Sequence, residues 1–288
     1  KSRIGIDRAK GTYPGYYYMR RRLGEFIEWQ FKTKDIAFGQ LSEQFIHDYQ
    51  NYVMDVKGLA VDTVRHYLAI LKKVCRIAYK EGYAERCHFA NFTLPQKTER
   101  TPRALNREDF EKIRDVEIPA WRTTHILVRD LFLFACYTGT AYADAVSVTR
   151  DNLYTDDEGC LWLKYRRQKN ELRASVKLLP EALALIEKYH DENRPTLFPM
   201  IYHPNLRRHM KSLAVLAGVS STLCYHQARH SFASLITLEA GVPIETISRM
   251  LGHSDITTTQ VYARVTPKKL FEDMDRYIEA TKDLKLIL

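Results

Sequence analysis

The chain has 288 residues, 45% of them apolar and 27% charged, and a formal net charge of +9. This is globular usage with enough apolar residues for about two domains, which excludes a disordered or fibrous chain. No apolar run approaches the roughly 20 residues that span a bilayer, and no signal-peptide pattern opens the sequence. The charge is uneven: residues 1–100 hold 18 Lys and Arg against 11 Asp and Glu, leaving only +2 for the remainder. A basic domain of that kind suits a phosphate backbone, where binding is largely counterion release. Cys75, Cys87, Cys136, Cys160 and Cys224 form no Cys-x-x-Cys pair and read as reduced core residues of a cytosolic protein. Lys1 rather than methionine opens the chain, so a fragment of a longer protein is expected.

Tyr16 to Phe31, Ser42 to Val56 and Thr63 to Glu81 carry helical spacing, the last with Val64, Leu68, Leu71, Val74, Cys75 and Ala78 on one face and Gly82 as its stop. A short fourth element is expected near Ala84 to Phe92. Arg20, Arg21 and Arg22 in the first helix, with Arg65 and Lys72 in the third, are the candidate phosphate contacts of this region. Leu94 to Arg103, with Pro95, Thr101 and Pro102, breaks the periodicity. The domains are therefore drawn at 1–95 and 105–288, with 96–104 as linker.

Asn106 is placed to cap a helix with Asp109 in its first turn, and His125 to Tyr137 is a strongly apolar helix closed by Gly139. Cys160 to Tyr165 and Arg173 to Leu179 read as two strands of a hairpin turning at Lys169-Asn170-Glu171. Pro180 to Tyr189 and Pro204 to Ala217 are helices that begin on proline. His226 to Ala240 reads as a helix closed by Gly241, so His226 and Arg229 share a face. Pro243 to Met250 stops at Gly252; Ser254 is the expected N-cap of a short helix carrying Thr257, Thr258, Thr259 and Tyr262. Pro267 to Thr281 is amphipathic, and the tail Lys282 to Leu288 ends Leu-Ile-Leu.

Three segments carry chemistry. Arg167-Gln168-Lys169 is basic. His226-Gln227-Ala228-Arg229-His230 sets a guanidinium fork, which fits two phosphate oxygens, beside an imidazole that shuttles protons. Leu251-Gly252-His253-Ser254 precedes Tyr262 by a turn that brings His253 and Tyr262 together. In this order and spacing the segments resemble the tyrosine recombinase (phage integrase) family, and Leu251 to Ala263 matches its Leu-Gly-His-Ser…Tyr-Ala signature almost throughout.

The resemblance implies a mainly α fold: a helical core-type DNA-binding domain, then a mostly α catalytic domain with a small antiparallel β-sheet. It implies that Tyr262 attacks the scissile phosphate to form a 3′-phosphotyrosyl link and that Lys169 protonates the departing 5′-hydroxyl. Arg229 and His253 would hold the non-bridging oxygens, and His226 would assist proton transfer at the tyrosine. Neither metal nor nucleotide cofactor is implied. One box departs from the pattern. Thr138-Gly139-Thr140-Ala141-Tyr142-Ala143-Asp144 has alanine where the family has its first arginine, with the acid, Asp144, retained. Arg167 is the candidate substitute, because a period-2 strand turns it to the Lys169 face and Arg166 away. Some integrases of mobile elements such as conjugative transposons also lack that arginine, and this chain resembles that branch.

The implied partners are double-stranded DNA at core-type sites, a homotetramer assembled on DNA from monomers through the Leu286-Ile287-Leu288 tail, and accessory bending or directionality factors; no membrane is implied. The expected location is the bacterial cytoplasm, at the nucleoid. Two other classes stay open: a type IB topoisomerase-like enzyme, and a DNA-binding accessory protein that has lost catalysis, for which Ala141 is the support. A basic helical structural protein is disfavoured by the Leu251 to Tyr262 match.

Overall fold

In a computed structural model the described residues are 10–98, 103–219, 223–262 and 267–282. The chain divides into two compact units, Lys1–Arg100 and Thr101–Leu288.

The first unit is helical. Helix α1 (Tyr13–Phe31) starts on Pro14, whose fixed φ suits a first turn, and ends where Lys32 turns left-handed at φ 56°. Helix α2 (Glu43–Asn51) is capped by Ser42, which accepts from the Phe45 amide at 3.1 Å, and runs on as a π-helical turn, Tyr52–Val56. Helix α3 is Val61–Lys80. Its Val64, Leu68, Leu71 and Cys75 pack with an aromatic cluster around Phe26, whose ring lies 5.2–5.5 Å from Phe45, Tyr49 and Tyr52. Residues 84–92 are not a fourth helix. They form turns that insert Phe89 and Phe92 into the core as an edge-on pair, so tertiary burial rather than helical periodicity fixes that stretch.

The second unit is built round helix α5 (Thr123–Thr138), whose residues 130–138 are all buried. Around it lie α4 (Arg107–Asp115), α7 (Pro180–Lys188), α8 (His203–Leu216) and α9 (Tyr225–Ser231). Asn106 caps α4 as expected, accepting from the Asp109 amide at 2.7 Å. Short α6 (Tyr142–Ala145) follows α5, and α10 (Ile244–Met250), α11 (Thr257–Gln260) and α12 (Pro267–Thr281) close the chain. The predicted hairpin forms as β2 (Leu161–Arg166) and β3 (Arg173–Lys177), with Leu163 opposite Val176 and Tyr165 opposite Ala174 on the buried face. A third strand, β1 (Leu153–Thr155), pairs antiparallel with β2 and escaped the sequence because three residues carry no usable alternation.

Other differences are local. The helix expected over His226 to Ala240 is α9 followed by a π-helical stretch, Phe232–Leu238. There Thr237 Oγ1 bonds the carbonyls of Phe232 and Ala233, and Ser234 Oγ that of His230. Such widened turns gather at functional sites. Ser254 does not cap α11; Asp255 Oδ1 takes the Thr257 amide at 2.9 Å instead. Of the five free cysteines, Cys75 and Cys136 are buried, Cys87 and Cys160 half-buried and Cys224 exposed, so they are not uniformly core residues. Among the described residues no helix is long and apolar enough to cross a membrane. Residues 283–288, with the Leu-Ile-Leu tail, lie outside the description.

Candidate active site

Two glycines make the site possible. Gly139 closes α5 at φ 68°, and a Cβ there would meet Leu251 Cδ2 and a Phe232 ring carbon at 2.7 Å. Gly252 follows α10 at φ 59°, and a Cβ there would meet Arg167 Cδ at 2.9 Å and the Arg173 carbonyl at 3.2 Å. Both demand a left-handed backbone and close approach, which only glycine satisfies. They bring the α5 terminus, the β2–β3 turn and the α10–α11 loop against α9.

Arg229 stands at the meeting point, 2% exposed. Its Nη1 donates to the Gly139 carbonyl at 2.6 Å, and its Nη2 to the Leu251 carbonyl. The same Nη2 reaches His253 Nε2 at 3.0 Å. A guanidinium has no acceptor, so Nε2 accepts; the proton of the neutral ring then sits on Nδ1 and is donated to Thr259 Oγ1 at 2.7 Å. Burial and the Arg229 charge push the His253 pKa down to about 4, which keeps that ring neutral at pH 7. Burial, then the neighbouring Arg167, pushes Arg229 down to about 10; it stays charged.

Arg167 lies just beyond the end of β2, 8% exposed. Its Nη1 donates to the Gly252 carbonyl at 3.1 Å, its Nε lies 3.8 Å from Asp144 Oδ2, and that buried Nε has no hydrogen-bond partner. Arg166 is exposed and donates to the Glu171 carbonyl, so the two neighbours do face opposite ways. Asp144 Oδ1 takes the Gln168 amide at 2.9 Å, pinning α6 to the hairpin turn. Lys169 is exposed on that turn rather than on the strand, close enough for its charge to depress His226 and His253. Ala141 leads into α6 with no cation of its own.

Tyr262 is buried, and burial raises its pKa while the Arg229 charge opposes the rise, so it is a phenol at neutral pH. Its hydroxyl meets His230 Nδ1 at 2.6 Å, not His226. The His226 ring stands edge-on to His230, centroids 4.5 Å apart, one step further from the tyrosine. His230 looks like core filler in the sequence. The signal that would have found it is its i+4 spacing from His226, which puts both imidazoles on one helical face. Two other tyrosines close in sequence to the motifs are committed elsewhere: Tyr225 Oη donates to the Leu131 carbonyl at 3.0 Å and Tyr142 Oη to that of Ile201.

The candidate DNA contacts of the first unit divide in the same way. Arg20 is exposed; Arg21 and Arg22 both bind Glu25, at 3.0 and 2.6 Å. Arg65 Nη1 donates to the Pro95 carbonyl at 2.5 Å and Lys72 Nζ to that of Phe92 at 3.0 Å, so these two brace the end of their own unit. The acidic turn at Asp156, Glu158 and Cys160 gathers possible metal ligands, yet Asp156 already accepts from two backbone amides and from Trp162 Nε1.

Residues 104–269 match the Phage integrase family and residues 2–94 the Phage integrase SAM-like domain. Tyrosine recombinase XerD of Listeria monocytogenes serotype 4b is 26% identical over 232 residues, covering 74% of this chain and 75% of that protein. XerD of Lacticaseibacillus casei is 24% identical, covering 91% and 90%. Among solved structures, the Tn1549 transposon integrase in complex with a circular intermediate DNA aligns at TM-score 0.71 and 16% identity over 94% of this chain and 95% of that one. A lambda integrase dimer bound to a COC′ core site aligns at 0.70 and 16%, over 92% of each. The chain belongs to the phage integrase family and is a tyrosine-type site-specific recombinase.

Proposed function

We propose that the chain cuts and rejoins double-stranded DNA at core-type sites through a 3′-phosphotyrosyl bond on Tyr262, integrating or excising a mobile element. The carrying observation is the convergence of Arg229, Arg167 and His253 on the corner made by Gly139 and Gly252, with Tyr262 held beside them through His230 of α9. A phosphate entering there takes donors from Arg229 and Arg167. His253, whose Nε2 accepts from Arg229, becomes a donor to the phosphate when that bond opens and the Thr259 hydroxyl turns to donate to Nδ1. Tyr262 attacks phosphorus, the bond to the 5′-oxygen breaks, and Lys169, on the exposed turn, supplies the proton to that oxygen. Attack by a 5′-hydroxyl of the partner duplex runs the step backward. The bond energy stays in the phosphotyrosine, so the chemistry requires neither nucleotide nor metal.

Arg167 is the group that replaces the arginine absent at Ala141. Its buried Nε, without a hydrogen-bond partner and 3.8 Å from Asp144 Oδ2, favours that role. The mobile-element reading rests on Ala141 and on the likeness to a transposon integrase. Residues 96–104 connect the DNA-binding and catalytic parts, and the reaction takes place in the bacterial cytoplasm. Four protomers assemble on DNA, and monomers predominate without it. The exposed stripe Phe271, Met274, Tyr277 and Ile278 on α12 supports a contact between protomers there.

The test is a nicked suicide duplex, on which wild type should form a covalent protein-DNA adduct and Tyr262→Phe should bind but form none. A normal adduct in Tyr262→Phe would move the nucleophile elsewhere. DNA binding with no adduct from the wild type would favour an accessory protein that has lost catalysis, the reading Ala141 suggests. Relaxation of one supercoiled circle without synapsis would favour a topoisomerase.

A further inference from the structure

Tyr262 and His230 form the shortest contact between a nucleophile and a base in the site, 2.6 Å from Oη to Nδ1. On the reading that Tyr262 is the nucleophile, we infer that His230, rather than His226, receives the tyrosine proton. In the step, the Oη–H bond of Tyr262 breaks and its proton goes to Nδ1 of His230. The Oη–P bond forms, the P–O5′ bond breaks, and the electron pair left on O5′ takes a proton from Lys169. His230 becomes an imidazolium and returns its proton to Tyr262 when the link is reversed.

The geometry suits this role. The hydroxyl donates, so Nδ1 is the acceptor and the resting proton of the ring is on Nε2. The ring is held in place: its backbone carbonyl takes the Ser234 hydroxyl at 2.9 Å, and the His226 ring stands edge-on against it. The charged and titratable groups that face it among the described residues are His226 and Arg229 from its own helix and Tyr262 from the segment after α11. Burial first, then His226 and Arg229, hold its pKa down to about 4, so at neutral pH the ring is free to accept. The same neighbours would make the imidazolium short-lived, which favours return of the proton. His226 then acts one place out, as a wall for His230 and a group beside the phosphate.

The discriminating experiment follows cleavage of a nicked suicide duplex by full-length protein from pH 6 to 9.5, with thermal melting and DNA binding as controls of the fold. Wild type should be flat across the range on the tyrosine side. His230→Ala should be about 100-fold slower at pH 7, the low end of the gain from a positioned base, and should regain rate tenfold per pH unit as hydroxide takes over. His230→Asn keeps an acceptor near the place of Nδ1 but no base, so it should keep that slope while binding DNA normally. A duplex whose scissile 5′-oxygen is replaced by sulfur needs no proton on its leaving group; it should restore Lys169→Ala and leave His230→Ala slow. A His230→Ala profile parallel to wild type, or the pH slope found in His226→Ala instead, would overturn the inference. These results are separable from the identity of the nucleophile, because only Tyr262→Phe reports on that.

Discussion

The α9–α10 corner and the β2–β3 turn both deliver cations to the site, by opposite means. Arg229 is 2% exposed and bonded to two backbone carbonyls, while Lys169 stands in solvent on a turn held through Gln168 and Asp144. Charge that must be fixed before the reaction is built into the core, where it needs no reorganisation. Charge that must give up a proton stays at the rim, where the turn can follow the substrate. Arg167 sits at the seam, on the hairpin side in sequence but buried like Arg229 and bonded to the corner through Gly252.

The sharpest way to break this contrast is Arg229→Lys. It keeps the charge but loses the planar fork, and with it the simultaneous grip on Gly139, Leu251 and phosphate. Cleavage should fall about 1,000-fold, near the top of the range for a preorganised donor. Retention of adduct yield in this variant would mean the corner supplies only charge, and the distinction between fixed and mobile cations would go.

Arg167 and Arg166 offer an internal control, since adjacent residues face core and solvent. Arg167→Ala should lower cleavage about 100-fold by the same donor scale, and Arg166→Ala should stay close to wild type. Single-turnover rates at saturating DNA would separate a transition-state effect from weaker binding. Equal losses would return Arg167 to the role of an ordinary hairpin residue and leave the position of Ala141 without a substitute.

Gly252→Ala probes the backbone under both cations. At φ 59° a side chain costs about 1–3 kcal/mol from conformation alone, and the Arg173 carbonyl 3.2 Å from the new Cβ is backbone that yields little. The melting temperature should drop by roughly 2–4 °C for each kcal/mol in a unit of this size. Cleavage should suffer more than stability, because the clash with Arg167 displaces a donor. A variant stable as wild type but inactive would show that the glycine serves only the site.

How much of this was legible depends on range. The helices with one apolar face, the Asn106 cap and the hairpin all follow from spacing within a few residues, and they stand in the structure. What spacing could not carry is long-range. Phe89 and Phe92 look like part of a helix until a core claims them, and three-residue β1 exists only because β2 offers it a partner. The exchange of His226 for His230 at Tyr262 has the same origin, since a motif names residue types and a fold decides which ring arrives. Arg65 and Lys72 look like DNA contacts because their partners, the Pro95 and Phe92 carbonyls, lie 30 and 20 residues away.

That last difference gives the smallest prediction, in the first unit. Arg20 is exposed, whereas Arg65 is spent on the Pro95 carbonyl. If Arg20 meets a phosphate, Arg20→Ala should weaken binding to a single core site uniformly across sequences and reduce the slope of log affinity against log salt by about 1, one released counterion. Arg65→Ala should leave that slope alone and instead lower the melting temperature, because it frees the segment at Pro95 and leaves a carbonyl without its charged donor, a loss of about 1–3 kcal/mol. Salt titrations of the two variants on one duplex, run beside their melting curves, check both. If Arg65→Ala also changed the salt slope with no loss of stability, its bond to Pro95 would be one that DNA displaces, and the basic face of this unit would extend from α1 to α3.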